Sequence, residues 1–310
     1  MQNLNLGYAC INETLKLQKI TTNRGLKKAT LNSKGLSYAS QLALQNVLDL
    51  EKVMQWNVNN NIKLFRMSSD VIPWGNKIDI TQLPDYTEIK SVLARVGAYA
   101  NSNKIRITTH PGPFNLLASS NPDVVKNTVL DLEMHARVFD MMGLSETHYN
   151  KINIHVGAVY NDKIATAMVW CNNFKTLPDN VKNRLTIEND DKASMYSVLD
   201  LYKLIHSETN VPIVFDYHHH GFNTGDLNHK QALELAMSTW PKDIKPMVHY
   251  SESKSLHEND PKIRLQAHSN FINGPIDTFG YDVDIMLETK AKELALLKFR
   301  DVDNYGCKTF

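Results

Sequence analysis

PIVFDYHHHG, residues 212–221, sets a carboxylate and three imidazoles at the end of an apolar run. Ile213, Val214 and Phe215 lead into Asp216, which reads as a strand ending at about that residue. His218, His219 and His220 follow. A solvated His-rich turn is the ordinary reading of such a run. The alternative is a carboxylate and an imidazole converging on a metal at a strand end, and the rest of the chain decides between them.

Seven further stretches read as strands: NLGYAC (5–10), IKLFRM (62–67), KIRITTH (104–110), KINIHVG (151–157), RLTIEN (184–189), PMVHY (246–250) and VDIMLE (283–288). Helical patterns fall between them, at 37–56, 121–143, 195–206 and 289–301. The second opens with Asn121 as cap and Pro122 at the first helical position, and closes on Gly143. Strands alternating with helices imply parallel βαβ units, and eight strands at roughly 30 residues per unit imply one closed (β/α)8 barrel, a TIM barrel, spanning residues 1–310 as a single domain. An open doubly wound sheet is the rival, but no G-x-G-x-x-G follows the first strand.

The 310 residues are 42% hydrophobic, enough for one large core. A net charge of +1 does not announce a nucleic-acid binder, so any basic surface must be local. Cys10, Cys171 and Cys307 are odd in number and show no C-x-x-C spacing, which fits a reducing compartment. The N-terminus lacks a signal-peptide pattern and no apolar run approaches membrane-spanning length. The expectation is a soluble, monomeric intracellular protein with no membrane partner, in cytoplasm or nucleus.

In a barrel all C-terminal strand ends meet on one face, the face that carries active sites. His110, His155, Glu188, Asp216, His249 and Glu288 close or follow strands, with His219 three residues past Asp216 and His268 between the last two strands. Asn189, Asp190 and Asp191 continue from Glu188. So many polar groups in one pocket need compensation, which divalent cations supply. Imidazole and carboxylate suit Zn2+, Mn2+ or Fe2+. The number of ligands exceeds one tetrahedral site, so two or three metals are implied, with Glu188 a candidate bridge. Paired metals suit displacement at phosphorus. Asp216 and His219 can face one metal, while His218 and His220 read as supporting residues.

Over nearly its whole length the chain resembles the UV damage endonucleases, (β/α)8-barrel DNA repair enzymes related to endonuclease IV and, more distantly, to xylose isomerase. The resemblance rests on LGYACIN, LFRMSSDVIP, HPGPF, IHVG, IENDD, FDYHHH, HYSES, AHSN and MLETKAKE. It implies an enzyme acting on double-stranded DNA with UV lesions and nicking the backbone immediately 5′ of cyclobutane dimers and 6-4 photoproducts, with abasic sites as a further candidate. It implies Mn2+ as cofactor, with Mg2+ or Zn2+ as substitutes, held by His110, His155, Glu188, Asp216, His219, His249, His268 and Glu288. Tyr8 and Asn12 would line the damage pocket, and the stretch after the third strand would probe the lesion.

Three positions depart from the family pattern. HPGPF stands where H-P-G-Q-Y is usual, so Pro113 loses a hydrogen-bond donor while Phe114 keeps a ring for wedging. Met247 stands where the family has a lysine that can be carboxylated. Lys77 stands where a histidine is usual, and is the candidate to supply the missing amine to catalysis alongside Glu188. The basic stretch TTNRGLKKATLNSKGL (21–36) is expected to be a loop on the active face, with Arg24 and Lys27 on DNA phosphates. A sugar isomerase or epimerase on the same barrel is the alternative activity. A DNA-damage binder without turnover is the non-enzymatic one.

Overall fold

Each of the eight apolar stretches forms a strand, and the strands close in sequence order into a parallel barrel, β1-β2-β3-β4-β5-β6-β7-β8. The computed structural model describes residues 4–305, with side chains to residue 301; Cys307 lies outside them. The strands are Asn5–Ala9 (β1), Leu64–Met67 (β2), Arg106–Thr109 (β3), Ile152–Ile154 (β4), Leu185–Glu188 (β5), Ile213–Asp216 (β6), Met247–Tyr250 (β7) and Asp284–Leu287 (β8). They are short and almost wholly buried, because a parallel strand is covered by helices outside and by the barrel filling inside.

The outer layer carries Lys28–Asn59 (α1), Tyr86–Ser102 (α2), Pro122–Met141 (α3), Lys163–Lys175 (α4), Val198–Leu201 (α5), His229–Ser238 (α6) and Glu293–Tyr305 (α7). α1 buries Ala39, Ala43, Val47, Leu50 and Met54, a stripe at helical spacing. Gly35, at φ 70°, kinks it near its start. Asn121 caps α3 as expected, accepting from Asp123 N. α5 continues through a π-helical turn at Tyr202–His206.

Two elements differ from expectation. The basic stretch 21–36 is a loop only to Lys27; from Lys28 it is helix, since Lys28, Ala29 and Leu31 are good helix formers. The seventh unit lacks a long helix. Ser251 to Val283 is instead an excursion with one short helix, Lys254–Glu258, because Pro261, Gly274 and Pro275 interrupt it.

The barrel filling is layered. At the floor Arg106 crosses the interior: its Nη1 donates to Asp284 Oδ2 at 2.8 Å and to the Lys245 carbonyl at 2.8 Å, its Nε to the Tyr149 carbonyl at 2.6 Å and its Nη2 to the His148 carbonyl at 3.1 Å. Above it lies an apolar plug that includes Leu64, Val214, Met247 and Met286. Above that, at the C-terminal strand ends, the filling turns polar. Asp284→Leu strands a buried guanidinium, and the expected cost is about 3–5 kcal/mol, read as a lower urea midpoint. A loss below about 1 kcal/mol, the scale of an ordinary single hydrogen bond, would show that the carbonyl partners of Arg106 suffice without the carboxylate.

Candidate metal centre

Side chains alternate between the two faces of a strand. Arg106, Thr108 and His110 therefore face inward on β3, Lys151, Asn153 and His155 on β4, Thr186 and Glu188 on β5, and Met247 and His249 on β7. The last inward position of each strand opens into one cup. Glu188 sits at its centre with no exposed surface. His249 Nδ1 lies 3.0 Å from Glu188 Oε2 and 3.1 Å from Glu288 Oε1. His110 Nε2 lies 3.2 Å from Glu188 Oε2, His219 Nδ1 3.3 Å from Oε1 and His155 Nε2 3.9 Å from Oε2.

These groups form two overlapping sets whose ligand atoms lie within 4.8 Å of one another: His110, His155 and Glu188, and Glu188, Asp216, His249 and Glu288. Glu188 belongs to both. The cup also holds buried lone pairs without a hydrogen-bond partner, on Glu188 Oε1 and Asp216 Oδ2. Such atoms are costly unless something else satisfies them. A divalent cation in each set does so, and oxygen and imidazole nitrogen are donors that Mn2+, Fe2+ and Zn2+ accept.

The surroundings orient the donors. Asp216 uses Oδ1 as the N-cap of the turn Tyr217–His220, accepting from His219 N at 2.7 Å, and keeps Oδ2 for the cup. His110 Nδ1 is 3.1 Å from the Pro111 carbonyl, His155 Nδ1 3.1 Å from Asp190 Oδ1 and His268 Nδ1 2.6 Å from Ser251 Oγ. In each case the other ring nitrogen faces a carboxylate, the arrangement that fixes a metal-binding imidazole. His268 is the most remote, its Nε2 4.0 Å from Glu288 Oε2. His219 is held by its Nδ1 at 2.9 Å from the Asn189 carbonyl. His218 and His220 turn to the carbonyls of Gln266 and Leu227 and take no part in the cup.

Burial would raise the carboxyl groups of Glu188 and Glu288, but His249 and His155 beside the first, and Arg66 and His249 beside the second, hold both well below the usual range. Burial opposes charge on His155, yet Glu188 and Asp190 outweigh it and push the ring up to about 10. Asp216 and Glu188 likewise push His219 up to about 9. Burial prevails at His110 and His268, both down to about 4.

Three cup residues escaped the sequence reading as ligand supports. Arg66 pairs with Glu288. Asn153 donates to Glu188 Oε2. Lys151, with no exposed surface, places Nζ 3.2 Å from His249 Nε2, and burial pushes its amine well below the ordinary lysine value. The signal was present: Lys151, Asn153 and His155 are spaced by two and share a face.

Several expected site residues lie elsewhere. Lys77 is turned outward onto Asn127 of α3, because the turn at Trp74 points it away from the cup. Tyr8 faces the helix layer, not a damage pocket: it is fully buried, donates to Asn57 Oδ1 at 2.8 Å and accepts from Asn12 at 3.0 Å. Asn12 caps the short helix Glu13–Lys16 through Leu15 N. Arg24 is bound to Asp49 at 2.7 Å and to the Thr21 and Lys19 carbonyls. Lys27 is exposed. Pro113 lines the cup, a cavity of about 470 Å³, while Phe114 is 65% exposed and borders a second cavity of about 330 Å³ beside Trp74. The HPGPF loop therefore forms the ridge between the two.

The family model for UV-endonuclease UvdE matches residues 4–307. The UV DNA damage endonuclease of Clostridium perfringens (strain 13 / Type A) is 34% identical over 95% of this chain and 69% of its own length. The UV-damage endonuclease of Schizosaccharomyces pombe is 35% identical over 94% of this chain, which spans about half, 49%, of that protein. The crystal structure of SacUVDE superposes with a TM-score of 0.84 at 30% identity, covering 98% of this chain and 99% of that one. Endonuclease IV from Thermus thermophilus (TM-score 0.54, 12% identity, 81% of this chain and 93% of that one) and 3-keto-D-glucoside 4-epimerase from E. coli (0.57, 11%, 98% and 98%) share the fold alone.

With His155 at about 10 and His219 at about 9, both rings hold protons at neutral pH in the metal-free protein, against an ordinary value of about 6.5. A ligand must shed its proton, so Mn2+ binding is expected to release protons and to tighten as pH rises from about 6 toward 9. Titration calorimetry in buffers of different ionisation enthalpy reads this directly, and binding with no proton release would exclude both rings as ligands. Lys151→Met is expected to weaken Mn2+ binding by about 10- to 100-fold with the metal-free fold intact by circular dichroism; unchanged affinity would reduce the Lys151 contact to packing.

Proposed function

Because this chain belongs to the UvdE UV-endonuclease family, and is therefore a UV-damage endonuclease, a DNA-nicking hydrolase, we propose that it cuts the backbone immediately 5′ of cyclobutane pyrimidine dimers and 6-4 photoproducts in duplex DNA, with abasic sites as a further substrate. The cut leaves a 3′-hydroxyl and a 5′-phosphate. The observation that carries this reading is Glu188, a buried carboxylate shared by two ligand sets in a cup walled by Pro113, next to the exposed ring of Phe114.

His110, His155 and Glu188 would hold one ion, and Glu188, Asp216, His249 and Glu288 a second, with His219 and His268 available to a third. Mn2+ is the ion proposed. When bound, such ions activate water, neutralise the non-bridging oxygens and stabilise the departing oxygen. The chain's residues make that possible. Asp190, Pro111 and Ser251 fix the rings of His155, His110 and His268. Arg66 lines the cup and pairs with Glu288, which keeps that carboxylate ionised and puts a guanidinium beside the incoming phosphate. The low-exposure walls keep these interactions strong.

Phe114 supplies the wedge. A damaged step is already poorly stacked, so extruding it costs the few kcal/mol of flipping least there, and the exposed ring fills the gap it leaves. Pro113 offers no N–H, so recognition at this tip rests on shape and stacking. A sugar epimerase would share a carboxylate and histidine cup, but has no use for such a tip.

A purified sample incubated with a duplex carrying one cyclobutane dimer is expected to give one nick 5′ of the lesion in Mn2+, and none in EDTA or on the undamaged duplex. Phe114→Ala should cost about 1–3 kcal/mol of damaged-duplex binding. Cleavage that persists in EDTA, or that ignores the lesion, overturns the proposal.

A further inference from the structure

Beside the cup lies another cavity, of about 570 Å³, lined by Lys192, Arg264, Gln266, His268 and Lys290 together with Asp191. It shares Asp191 and Lys192 with the cup, and His268 faces both it and Glu288. Its three cations come from three separate segments: the loop after β5, the β7–β8 excursion and the turn after β8. None of the three side chains meets a carboxylate or makes a hydrogen bond among the described residues. That sets them apart from Arg24, Arg95, Lys163 and Lys245, which are all ion-paired. Three unpaired cations against the single carboxylate of Asp191, in a chain of net charge +1, make a local anion site of the kind the overall charge conceals.

The backbone that carries them is tied down. Ser253 and His268 form an antiparallel bridge, Lys254 N donates to the Ala267 carbonyl at 2.7 Å, and Ala267 N to the Arg264 carbonyl at 2.9 Å. Lys290 N donates to the Ser269 carbonyl at 2.9 Å, which fastens the excursion to the end of β8. The cavity also has a defined place relative to the lesion probe. Pro113 and Phe114 follow β3, and β3 and β7 are four strands apart in either direction round the closed barrel. The probe loop and β7, where the excursion carrying Arg264 begins, therefore lie on opposite sides of the barrel mouth, while Lys192, after β5, lines the cup together with Pro113.

We propose that Lys192, Arg264 and Lys290 form a subsite for one backbone phosphate of the incised DNA strand, next to the phosphodiester being cut. The inference rests on the function proposed above. Arg264 suits this task because its planar fork can take two phosphate oxygens, while the two lysines act as point charges. Such a contact positions the strand without reading its sequence. It holds the strand beside the cup, so that the wedge acts against a fixed strand.

The test uses the full-length protein, its Lys192→Gln/Arg264→Gln/Lys290→Gln triple variant, and dimer-containing duplexes with one neutral methylphosphonate at each linkage flanking the nick in turn. Binding is measured from about 50 to 200 mM KCl. The variant is expected to lower the salt slope of log K by about 0.9 for the one phosphate, and to raise KM by a larger factor than it lowers kcat. At one flanking linkage the methylphosphonate should weaken wild-type binding and leave the variant indifferent, a non-additive pair. An unchanged slope, effects that add at every linkage, or a loss confined to kcat each overturn the subsite. If the wild type neither binds nor nicks the damaged duplex, the proposed function fails first and the subsite with it. A wild type that nicks while the variant matches its slope sinks the subsite alone.

Discussion

The burial of the Glu188 carboxylate is the constraint on which the rest of the site depends. A fully buried ionised carboxylate is tolerable only with opposite charge close by. Here four histidines approach it within 4 Å, with Asn153 donating to it as well. Even so, Oε1 finds no hydrogen bond, and the same holds for Asp216 Oδ2. The protein alone leaves the cup electrostatically unfinished. Two of its histidines hold protons that cations would displace, so the metal-free cup is stabilised by protons in places that metals take over.

The barrel below exists in a form that lets this cup stand. The Arg106 and Asp284 pair at the floor and the plug above it separate the polar top from the solvent at the bottom. Met247 is part of that plug. A lysine there would put a second amine beneath His249, whereas Lys151 already occupies that ring's inner nitrogen. Met247 in the plug and Lys151 beside His249 are thus parts of one packing arrangement. No role for Lys77 follows from it, because Lys77 lies on the outer rim against α3.

The loops divide the remaining labour. The β3 loop raises Phe114 between two cavities, and the β7–β8 excursion, which replaces a helix, carries His268 and one wall of the basic cavity. In the segment after β1, Arg24 neutralises Asp49 and Lys34 lies over the Tyr38 ring at 4.2 Å, while Lys27 and Lys28 are exposed. Charge count along a segment cannot distinguish cations that face carboxylates from those that do not.

What the amino-acid order determined by itself is whatever depends on local periodicity. Eight apolar runs became eight strands in order, and the polar residue closing each run from the third to the eighth landed in the cup, because alternation along a strand fixes which side chains face inward once the barrel closes. Helices Tyr86–Ser102, Lys163–Lys175 and His229–Ser238 were not read from the sequence, although the first carries a regular stripe of Ile89, Val92, Leu93, Val96 and Ala100. Only the tertiary structure decided the rest. Tyr8 and Asn12 lie in a motif shared with a damage-binding family, yet Tyr8 stands at an even position of β1 and so faces the helices. Lys151 and His249 are 98 residues apart, and the basic cavity joins three loops; contacts of that range follow from how the strands are arranged round the barrel, which no local pattern records.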